Sequence, residues 1–577
     1  MKRCPECRRD YADETLNFCL DDGASLLDGP ACVDEPATAI LSEPGAVPTG
    51  FRPAELPGES ATKIFDQDPG TNDIISKAET TGQDRKITAS PRNSVIAGIF
   101  GILLITVLGL GGYYWLYGRN SNAPISSIAV MPFVNESGNP DVEYLSDGMT
   151  ETLISRLSQL PNLNVTARSS VFRYKGKDTD ARTIAQELNV QAILTGKVVQ
   201  RASELALYVE LVDAGTDKVI WSETYNRQLL NLVSLQTEIA KDVSQKLKMK
   251  LSGAEERLLA VKDTESTEAY QLYLRGRFFW NKRTLKDVEN SIPYFQQSIA
   301  ADSSFALAFS GLADSYMTLA LLEGGPPPHE TMPKARDAAR KALMIDDRSG
   351  EAHATLGIIL NLYDYDFAGS EREFKRALEL EPNYATAHLR YSLLLTLLGR
   401  HDESLVAIRR ALEIEPLSVF VNRAYGDRLI DARRYDEAVV QLKKTLELDN
   451  NYALAHSSLA WVYQVQGNYA ESVEEVAKMY DVTGRNEYAA LVRQSYISGG
   501  WQGYLEAMTA RQPGLRAYTK ASHYAALGKK DLAFTELNRA YDNRESNISR
   551  LNVDGRLDSL RDDPRFEELV KKVGFPE

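Results

Sequence analysis

The stretch FKRALELEP at residues 374–382 returns as IRRALEIEP at residues 408–416 and, more loosely, as LKKTLELDN at residues 442–450. The copies are 34 residues apart, and apolar residues recur within each copy at the spacing of one helix face. The positions that keep this step are Leu378, Leu412 and Leu446; Gly399, Arg433 and Gly467; and His388, Asn422 and His456. Pro382 and Pro416 end the first two copies, because proline cannot continue a helix. The pattern predicts repeated helix pairs that pack through their apolar faces.

Helix pairs with this period resemble tetratricopeptide repeats. The resemblance is strong from about residue 351 to residue 484 and looser on either side. Near the end of the chain, Asp563 before Pro564 predicts a helix start, and an apolar stripe of Phe566, Leu569 and Val570 follows. We therefore assign residues 266–577 to an all-α tetratricopeptide solenoid that ends in a terminal cap.

The resemblance also implies a binding surface. In this family the first helix of each repeat lines the concave side of the solenoid, and aligning the repeats on their 34-residue step places a set of residues there. The set is Leu389, Arg423, Asp427, Trp461 and Gln464. Such a groove would bind a protein or an extended peptide, with Trp461 as the main anchor, because truncating aromatic and arginine anchors often costs about 2 kcal/mol or more. The alternative is that Trp461 is a partly buried packing residue.

Residues 125–250 show a different alternation. The apolar run at 127–133 predicts a buried strand, and residues 147–160 predict an amphipathic helix capped near Ser146. The complete order is β-α-β-α-β-β-β, followed by a helix at about 232–247. This order predicts an α/β domain with a mixed sheet.

Several motifs of this α/β domain resemble the TolB amino-terminal-like family. They are IAVMPF (128–133), LSDGMTE (145–151), ARSS (167–170), YKG (174–176), LTG (194–196) and IWSETY (220–225). The resemblance implies a domain that often lies between a membrane helix and tetratricopeptide repeats, behind a cytoplasmic cyclase, kinase or winged-helix regulator. This chain departs from that arrangement, because 92 residues before its long apolar segment are too few for a cyclase or kinase domain.

Recognisable catalytic motifs are lacking, and we expect that the chain is not an enzyme. Gly196-Lys197 has neither the preceding glycine nor the following Ser or Thr of a P-loop, and there is no G-x-S-x-G elbow. Ser146 and Asp147 could present a helix amino terminus to an anion, with help from Arg168. The alternative, which we favour, is a capping turn beside a surface arginine. The histidines form no H-x-x-x-H pair, so we expect them to pack or to lie on the surface rather than to bind metal.

All four cysteines lie within residues 1–32. A C-x2-C knuckle lets two thiolates meet one tetrahedral ion, and a third cysteine follows at a distance that suits a second knuckle. The candidate ligands are Cys4, Cys7, Cys19 and, as the fourth, either Asp22 or Cys32. The module resembles short zinc ribbons, and we expect structural zinc to supply its free energy of folding. The alternative is a reduced cysteine cluster in a disordered tail.

Residues 33–92 are rich in Pro, Gly, Ser, Thr and acidic residues and keep no helix or strand period, which predicts a disordered linker. EPATAIL at 35–41 and ESATKIF at 59–65 share one pattern and place Thr38 and Thr62 in equivalent acidic settings. These settings resemble those favoured by bacterial Ser/Thr kinases and forkhead-associated domains. We hypothesise that both threonines are phosphorylated and dock such a partner. The alternative is that the two sequences resemble each other by chance.

Residues 95–116 form a run of 22 positions without charge. At about 1.5 Å per residue, this run is long enough to cross a hydrocarbon core of roughly 30 Å. We therefore predict a transmembrane helix within residues 93–117. Arg85, Lys86 and Arg92 precede it and Arg119 alone follows closely, which predicts a cytoplasmic amino terminus. The predicted localisation is the inner (cytoplasmic) membrane, single pass, with the carboxy-terminal bulk in the periplasm.

The predicted fold class is multidomain: a small zinc ribbon, one transmembrane helix, an α/β domain with a mixed sheet, and an all-α tetratricopeptide solenoid. The formal net charge of −14, from 66 basic and 80 acidic residues, excludes a general attraction to nucleic acid phosphates. We predict a membrane-anchored scaffold or adaptor that binds proteins through its repeats. The alternative is a transmembrane signalling or envelope-sensing regulator coupled to a cytoplasmic kinase or transcription partner.

Overall fold

The computed structural model describes residues 2–3, 10–11, 27–28, 125–160, 162–247, 251–322, 324–511 and 514–576. The chain divides into two compact units, Met1–Leu103 and Leu104–Glu577. In the first unit, the two-residue strands β1 (Lys2–Arg3), β2 (Asp10–Tyr11) and β3 (Leu27–Asp28) form an antiparallel sheet in the order β2-β1-β3. The predictions that lie outside the described residues are the ligands Cys4, Cys7, Cys19, Asp22 and Cys32, the phosphothreonines Thr38 and Thr62, the linker at 33–92 and the helix at 93–117.

The second unit begins with a mixed sheet in the order β6-β4-β7-β8-β9, and β5 pairs with β7. Its strands are β4 (Ser127–Val130), β5 (Val134–Asn135), β6 (Asn164–Val165), β7 (Ala192–Arg201), β8 (Glu204–Asp213) and β9 (Lys218–Gln228). β4 runs parallel to both of its neighbours, so it is internal, and Ile128, Ala129 and Val130 are fully buried. β7, β8 and β9 form antiparallel hairpins. The predicted mixed sheet is confirmed.

The helices of this domain are α1 (Glu143–Ser158), α2 (Arg168–Val171), α3 (Ala181–Leu188), α4 (Leu232–Lys246) and α5 (Gly253–Ala260). The prediction that the first helix is capped near Ser146 is wrong. Asn139 instead caps a short 3-10 turn, Pro140–Val142, by accepting a hydrogen bond from the Asp141 N–H, and that turn continues into α1. Ser146 and Asp147 consequently lie inside the helix and are buried.

The solenoid consists of helices that pair in sequence into antiparallel hairpins. They are α6 (Thr267–Asn281), α7 (Leu285–Ala301), α8 (Ala306–Leu321), α9 (Pro328–Ile345), α10 (Gly350–Ile359), α11 (Phe367–Leu380), α12 (Ala385–Leu397), α13 (His401–Ile414), α14 (Val419–Asp431), α15 (Tyr435–Leu448), α16 (Ala453–Gln466) and α17 (Tyr469–Val482). α12, α14 and α16 begin 34 residues apart, as the repeat predicts.

Glycines on the first helix of a hairpin leave room for large side chains of the second. Gly276 on α6 lies against the ring of Phe295 on α7, and a Cβ at that glycine would be 2.7 Å from the ring. A Cβ at Gly311 on α8 would also collide with the same ring. Phe295 is therefore fully buried between two hairpins, and this contact joins consecutive repeats.

Beyond these hairpins the chain turns back onto the solenoid. The elements here are α18 (Asn486–Arg511), α19 (Ala517–Ala526), α20 (Lys530–Asp542), the 3-10 turns Ser546–Arg550 and Gly555–Leu560, and α21 (Pro564–Val573). α18 is kinked at Gly500, whose φ of 60° and ψ of −155° are not helical. Phe575 stacks on Phe367 at 4.9 Å between ring centroids, and Tyr541 stacks on Tyr365 at 6.1 Å. Residues from 517 onward thus share a core with α8, α10 and α12.

The predictions of a transmembrane helix in the fold class and of an inner-membrane location are corrected. Within the described residues, no helix combines the length and the apolar composition needed to cross a membrane. A span needs about 20 apolar residues. α8, which is rich in Ala and Leu, has 16 residues and carries the buried Asp314, and the 26-residue α18 contains charged residues and the Gly500 kink.

Candidate protein-interaction site

The predicted groove residues lie on α12, α14 and α16. Arg423 and Asp427, one turn apart on α14, form an ion pair, and the Ser458 hydroxyl on α16 donates to Asp427 Oδ1 at 2.6 Å. Trp461 follows Ser458 by about one turn on α16 and is half-buried. We call Arg423, Asp427, Asp431 and Trp461 the inner wall. Of the other predicted residues, Leu389 is half-buried against the apolar core of α13 to α16, and Gln464 is half-buried near the end of α16.

The inner wall is covered by the chain itself. Residues 546–560, which we call the C-terminal segment, place two guanidinium groups over the Trp461 ring. The guanidinium carbon of Arg550 lies 4.7 Å from the ring centroid and that of Arg556 lies 4.8 Å away. Arg550 Nη2 also contacts Asp431 Oδ1 at 2.5 Å. Cation–π contacts of this kind favour arginine over an indole face.

The C-terminal segment is held by its own internal contacts and by apolar anchors. Asp554 accepts hydrogen bonds from Arg556 at 2.6 Å and from the Tyr518 hydroxyl at 3.0 Å. Ile548 and Leu557 are fully buried in the core shared with α8, α10 and α12. Because burying such side chains stabilises by about 1.5–3 kcal/mol each, the segment is a fixed part of the fold.

The inner wall is a buried charge cluster. Burial lowers the pKa of Arg428 on α14 to about 10, and burial raises the pKa of Asp431 above its ordinary value. Burial also acts on Asp554, but the neighbouring Arg556 outweighs it and lowers the pKa of that carboxyl. Within the described residues, Arg428 Nε, Asp431 Oδ2 and the Trp461 indole nitrogen have no hydrogen-bond partner.

A second charge cluster joins the α/β domain to the solenoid. Arg277 on α6 contacts Glu151 of α1 at 2.5 Å and Glu351 of α10 at 2.7 Å. Asn281 donates to the other oxygen of Glu151 at 2.6 Å, and Arg168 Nε lies 3.2 Å from that oxygen. Burial alone would raise the pKa of Glu151, but Arg277 and Arg168 hold it below its ordinary value. The first repeats are thus tied electrostatically to the preceding domain.

The anion site considered at Ser146 and Asp147 is not formed, because the charges there are paired within the chain. Lys175 contacts Asp147, and Arg168 pairs with Glu151. Burial raises the pKa of Asp147 despite Lys175. Within the described residues, no group of His, Cys, Asp and Glu side chains could hold a metal ion.

The histidines at the recurring repeat position hold the loops before their helices. His388 contacts the Pro382 carbonyl oxygen at 2.9 Å, and His456 contacts the Asn450 carbonyl oxygen at 3.3 Å and Glu475 at 2.6 Å. These contacts give the histidines a structural role within the repeat.

Sequence reasoning missed the residues that cover the inner wall. Arg550 and Arg556 are 89 or more positions from Trp461, and no periodicity connects them to it. A weak signal was available, because Asn552, Asp554 and Gly555 interrupt the helical pattern with turn-forming residues between two arginines. That signal predicts a turn, but it does not predict what the turn contacts.

Comparisons with known proteins match two separate parts of the chain. Residues 124–242 match the second domain of HilA/YgeH-like transcriptional regulators, and residues 362–418 match a tetratricopeptide repeat family. The tetratricopeptide prediction is confirmed, whereas the comparisons do not support the resemblance to the TolB amino-terminal-like family.

One curated relative is Putative adenylate cyclase 3 of Rhizobium meliloti (strain 1021), which is 30% identical over 235 residues, covering 41% of this chain and 40% of that protein. The chain therefore spans well under half of this relative's length. Similar solved structures include PilW, a type IV pilus biogenesis factor, with 18% identity, 38% of this chain, 98% of that chain and a TM-score of 0.32. Another is pilF of Pseudomonas aeruginosa, with 17% identity, 41% of this chain, 98% of that chain and a TM-score of 0.29.

Proposed function

We propose that the chain is a protein-binding adaptor in a signalling or regulatory system, and that its repeat array engages the partner along the rim of the inner wall. The observation that carries this proposal is a pair of exposed apolar residues at equivalent repeat positions. Phe420 on α14 and Leu454 on α16 are 34 residues apart and are 48% and 50% exposed. Arg423 lies over the Phe420 ring at 5.5 Å. Aromatic and arginine side chains are enriched among residues that dominate protein interfaces.

The regulatory part of the proposal is supported by the two partial likenesses. One domain is similar to part of a transcriptional regulator family, and part of the chain is similar to a protein named as a putative adenylate cyclase. We assign no catalytic step to this chain. On the amino-terminal side, we propose that Cys4, Cys7 and Cys19, with Asp22 or Cys32, hold zinc. Phosphorylation of Thr38 and Thr62 would dock a kinase or a forkhead-associated domain.

Site-specific photo-crosslinking in the native cell tests the adaptor function. A photoreactive phenylalanine analogue replaces Phe420 or Leu454, and the same analogue at Ile497, which is 78% exposed and lies on α18 beyond the paired hairpins, is the control. We expect the same discrete adduct from positions 420 and 454 and none of that mass from position 497. Adducts that are identical at all three positions, or no adduct at positions 420 and 454, would contradict the proposal.

A further inference from the structure

A cavity of about 240 Å³ lies at the seam between the solenoid and the last residues of the chain. Leu397, Leu398, Val553 and Phe575 contribute to its apolar lining, and His401, Arg433 and Asp431 contribute polar groups, of which Asp431 is paired with Arg550. Pockets for drug-sized ligands usually measure about 300–1,000 Å³. This cavity therefore suits one amino-acid residue rather than a large ligand.

Arg433 occupies a backbone position that favours glycine. Its φ is +63°, and the equivalent positions of the neighbouring repeats hold Gly399 and Gly467, with φ of +73° and +80°. A residue with a Cβ is disfavoured in this left-handed conformation, which is common just after a helix. The arginine side chain must therefore contribute something that glycine cannot.

What the side chain contributes is a positive group across the seam. Arg433 Nη1 and Nη2 contact Asp558 Oδ2 and Oδ1 at 2.6 and 2.9 Å. Both side chains remain accessible, Arg433 at 47% and Asp558 at 42%. Ion pairs exposed to this extent contribute little to stability, so another carboxylate can exchange with Asp558. Asp558 would keep a partner after the exchange, because Arg561 Nε lies 2.8 Å from its Oδ1.

His401 adds a second polar group to the cavity lining. Its Nδ1 is buried and has no hydrogen-bond partner among the described residues. A neutral imidazole with its proton on Nδ1 can donate one hydrogen bond, and a carboxylate has two oxygens to accept bonds from separate donors. Arg433 and His401 together therefore suit a carboxylate at the cavity mouth, with an apolar group beneath it.

We propose that this seam cavity binds the carboxy-terminal residue of a partner protein, with its free carboxylate on Arg433 and His401 and its apolar side chain between Leu397 and Phe575. The inference rests on the proposed adaptor function and specifies the chemistry of the partner. Arg433 selects a carboxylate by charge, because Asp431 in the lining already pairs with Arg550, and the limited volume selects a single terminal residue. Binding would exchange the Arg433–Asp558 pair for a pair between Arg433 and the ligand.

Fluorescence anisotropy with the full chain tests this proposal. The probe is fluorescein-labelled Gly-Ser-Gly-Ser-Leu with a free carboxylate, compared with the same peptide ending in an amide. We expect the acid to bind at least tenfold more tightly than the amide. Arg433→Gly should weaken binding of the acid at least tenfold while preserving the fold, because glycine suits the backbone. Arg434→Ala, which removes the adjacent exposed arginine that pairs with Glu437, is the matched control and should change binding less than twofold.

A second variant tests the cavity rather than the charge. Asn552, a half-buried residue of the lining, is replaced in Asn552→Trp, which should fill the space and weaken binding of the acid at least tenfold. Equal binding of acid and amide, or full binding by Arg433→Gly, would overturn the proposal. Should the acid fail to bind while positions 420 and 454 still give their adduct, the cavity assignment falls and the adaptor function stands. If the adduct is lost while the acid still binds, the proposal that the partner contacts Phe420 and Leu454 at the rim of the inner wall is overturned instead.

Discussion

Arg277 of the first repeat helix contacts Glu151 of the α/β domain at 2.5 Å, so that one guanidinium joins two domains with different architectures. The same group contacts Glu351 at 2.7 Å and lies 3.9 Å from Asp314. These carboxylates hold the pKa of Arg277 well above its ordinary value despite its burial. This buried cation therefore adds an electrostatic contact to the apolar core that the α/β domain shares with α6 to α8.

Replacing this cation should destabilise the junction strongly. Arg277→Met keeps much of the side-chain volume, but it removes the ion-pair partner of the buried Glu351 and leaves Glu151 with only Arg168 and Asn281. Removing one member of a buried ion pair typically costs about 3–5 kcal/mol. We expect a loss of this size in urea unfolding followed by tryptophan fluorescence. Lys286→Met, at an exposed position on the neighbouring α7, is the control, and equal stability of the two variants would contradict the prediction.

Glu381 should make the solenoid less stable as the pH rises. Burial, reinforced by Glu351, raises its folded pKa to about 7, from an ordinary value of 4.5. The folded state then binds more protons than the unfolded state between about pH 4.5 and 7, so stability falls as pH rises through that window. Glu381→Gln removes the charge and keeps an oxygen that can accept the Gly350 N–H, which lies 3.1 Å from the native carboxylate.

The variant Glu381→Gln should be about 1–3 kcal/mol more stable than the native chain at pH 8, and the difference should vanish near pH 4.5. Urea unfolding at a series of pH values measures this difference. Glu379→Gln, in the last turn of α11 just before Glu381 and at a position 65% exposed, should leave the pH profile unchanged. A native profile that Glu381→Gln does not alter would show that Glu381 is ionised in the fold throughout this range.

The amino-terminal cysteines give a prediction about metal content. The full chain, purified under reducing conditions, should carry about one zinc per chain by elemental analysis, because C-x2-C thiolates are typical zinc ligands. Cys4→Ser should remove most of it. Comparison of Asp22→Ala with Cys32→Ser identifies the fourth ligand, and His329→Ala is the control. Much less than one zinc in the native chain would rule out the site.

The repeats were predictable because their determinants are local. Leu378 and Leu412 recur at a fixed step, and each helix pair buries its apolar face against the next pair in sequence. The start of α1 was predicted less well, because Asn139 caps a 3-10 turn that the apolar periodicity does not include. Local patterns therefore locate the elements better than they locate the ends of those elements.

The covering of the inner wall could not be predicted by the same reasoning. Arg550 and Arg556 are of a residue type that usually lies at the surface. They lie over Trp461 because α19 to α21 pack back onto earlier repeats. Such contacts depend on the curvature accumulated over several hairpins, which no single repeat encodes. Aligning the repeats can therefore place a residue on the concave face, but it cannot show which group contacts that residue.

Trp461 provides the last prediction, because its two interpretations predict different effects of truncation on the stability of the protein. As an exposed anchor, its truncation would leave unfolding unchanged; between two guanidinium groups, it should behave as a packing residue. We expect Trp461→Ala to lower the free energy of unfolding by about 2–3 kcal/mol, somewhat below the 3–5 kcal/mol of a fully buried Trp, because Trp461 is half-buried.

A double-mutant cycle isolates the contact with the arginine. Trp461→Ala, Arg550→Ala and the double variant are compared by urea unfolding, and a coupling of about 0.5–2 kcal/mol is expected for a desolvated cation–π pair. Arg565→Ala, whose guanidinium lies over Phe534 rather than Trp461, is the control partner and should give additive effects with Trp461→Ala. Additivity of Trp461 with Arg550 would mean that the indole is stabilised by its own helix neighbours. In that case the C-terminal segment would be held by buried apolar side chains such as Ile548 and Leu557 and by ion pairs such as Arg550–Asp431, rather than by the contact between Arg550 and the indole.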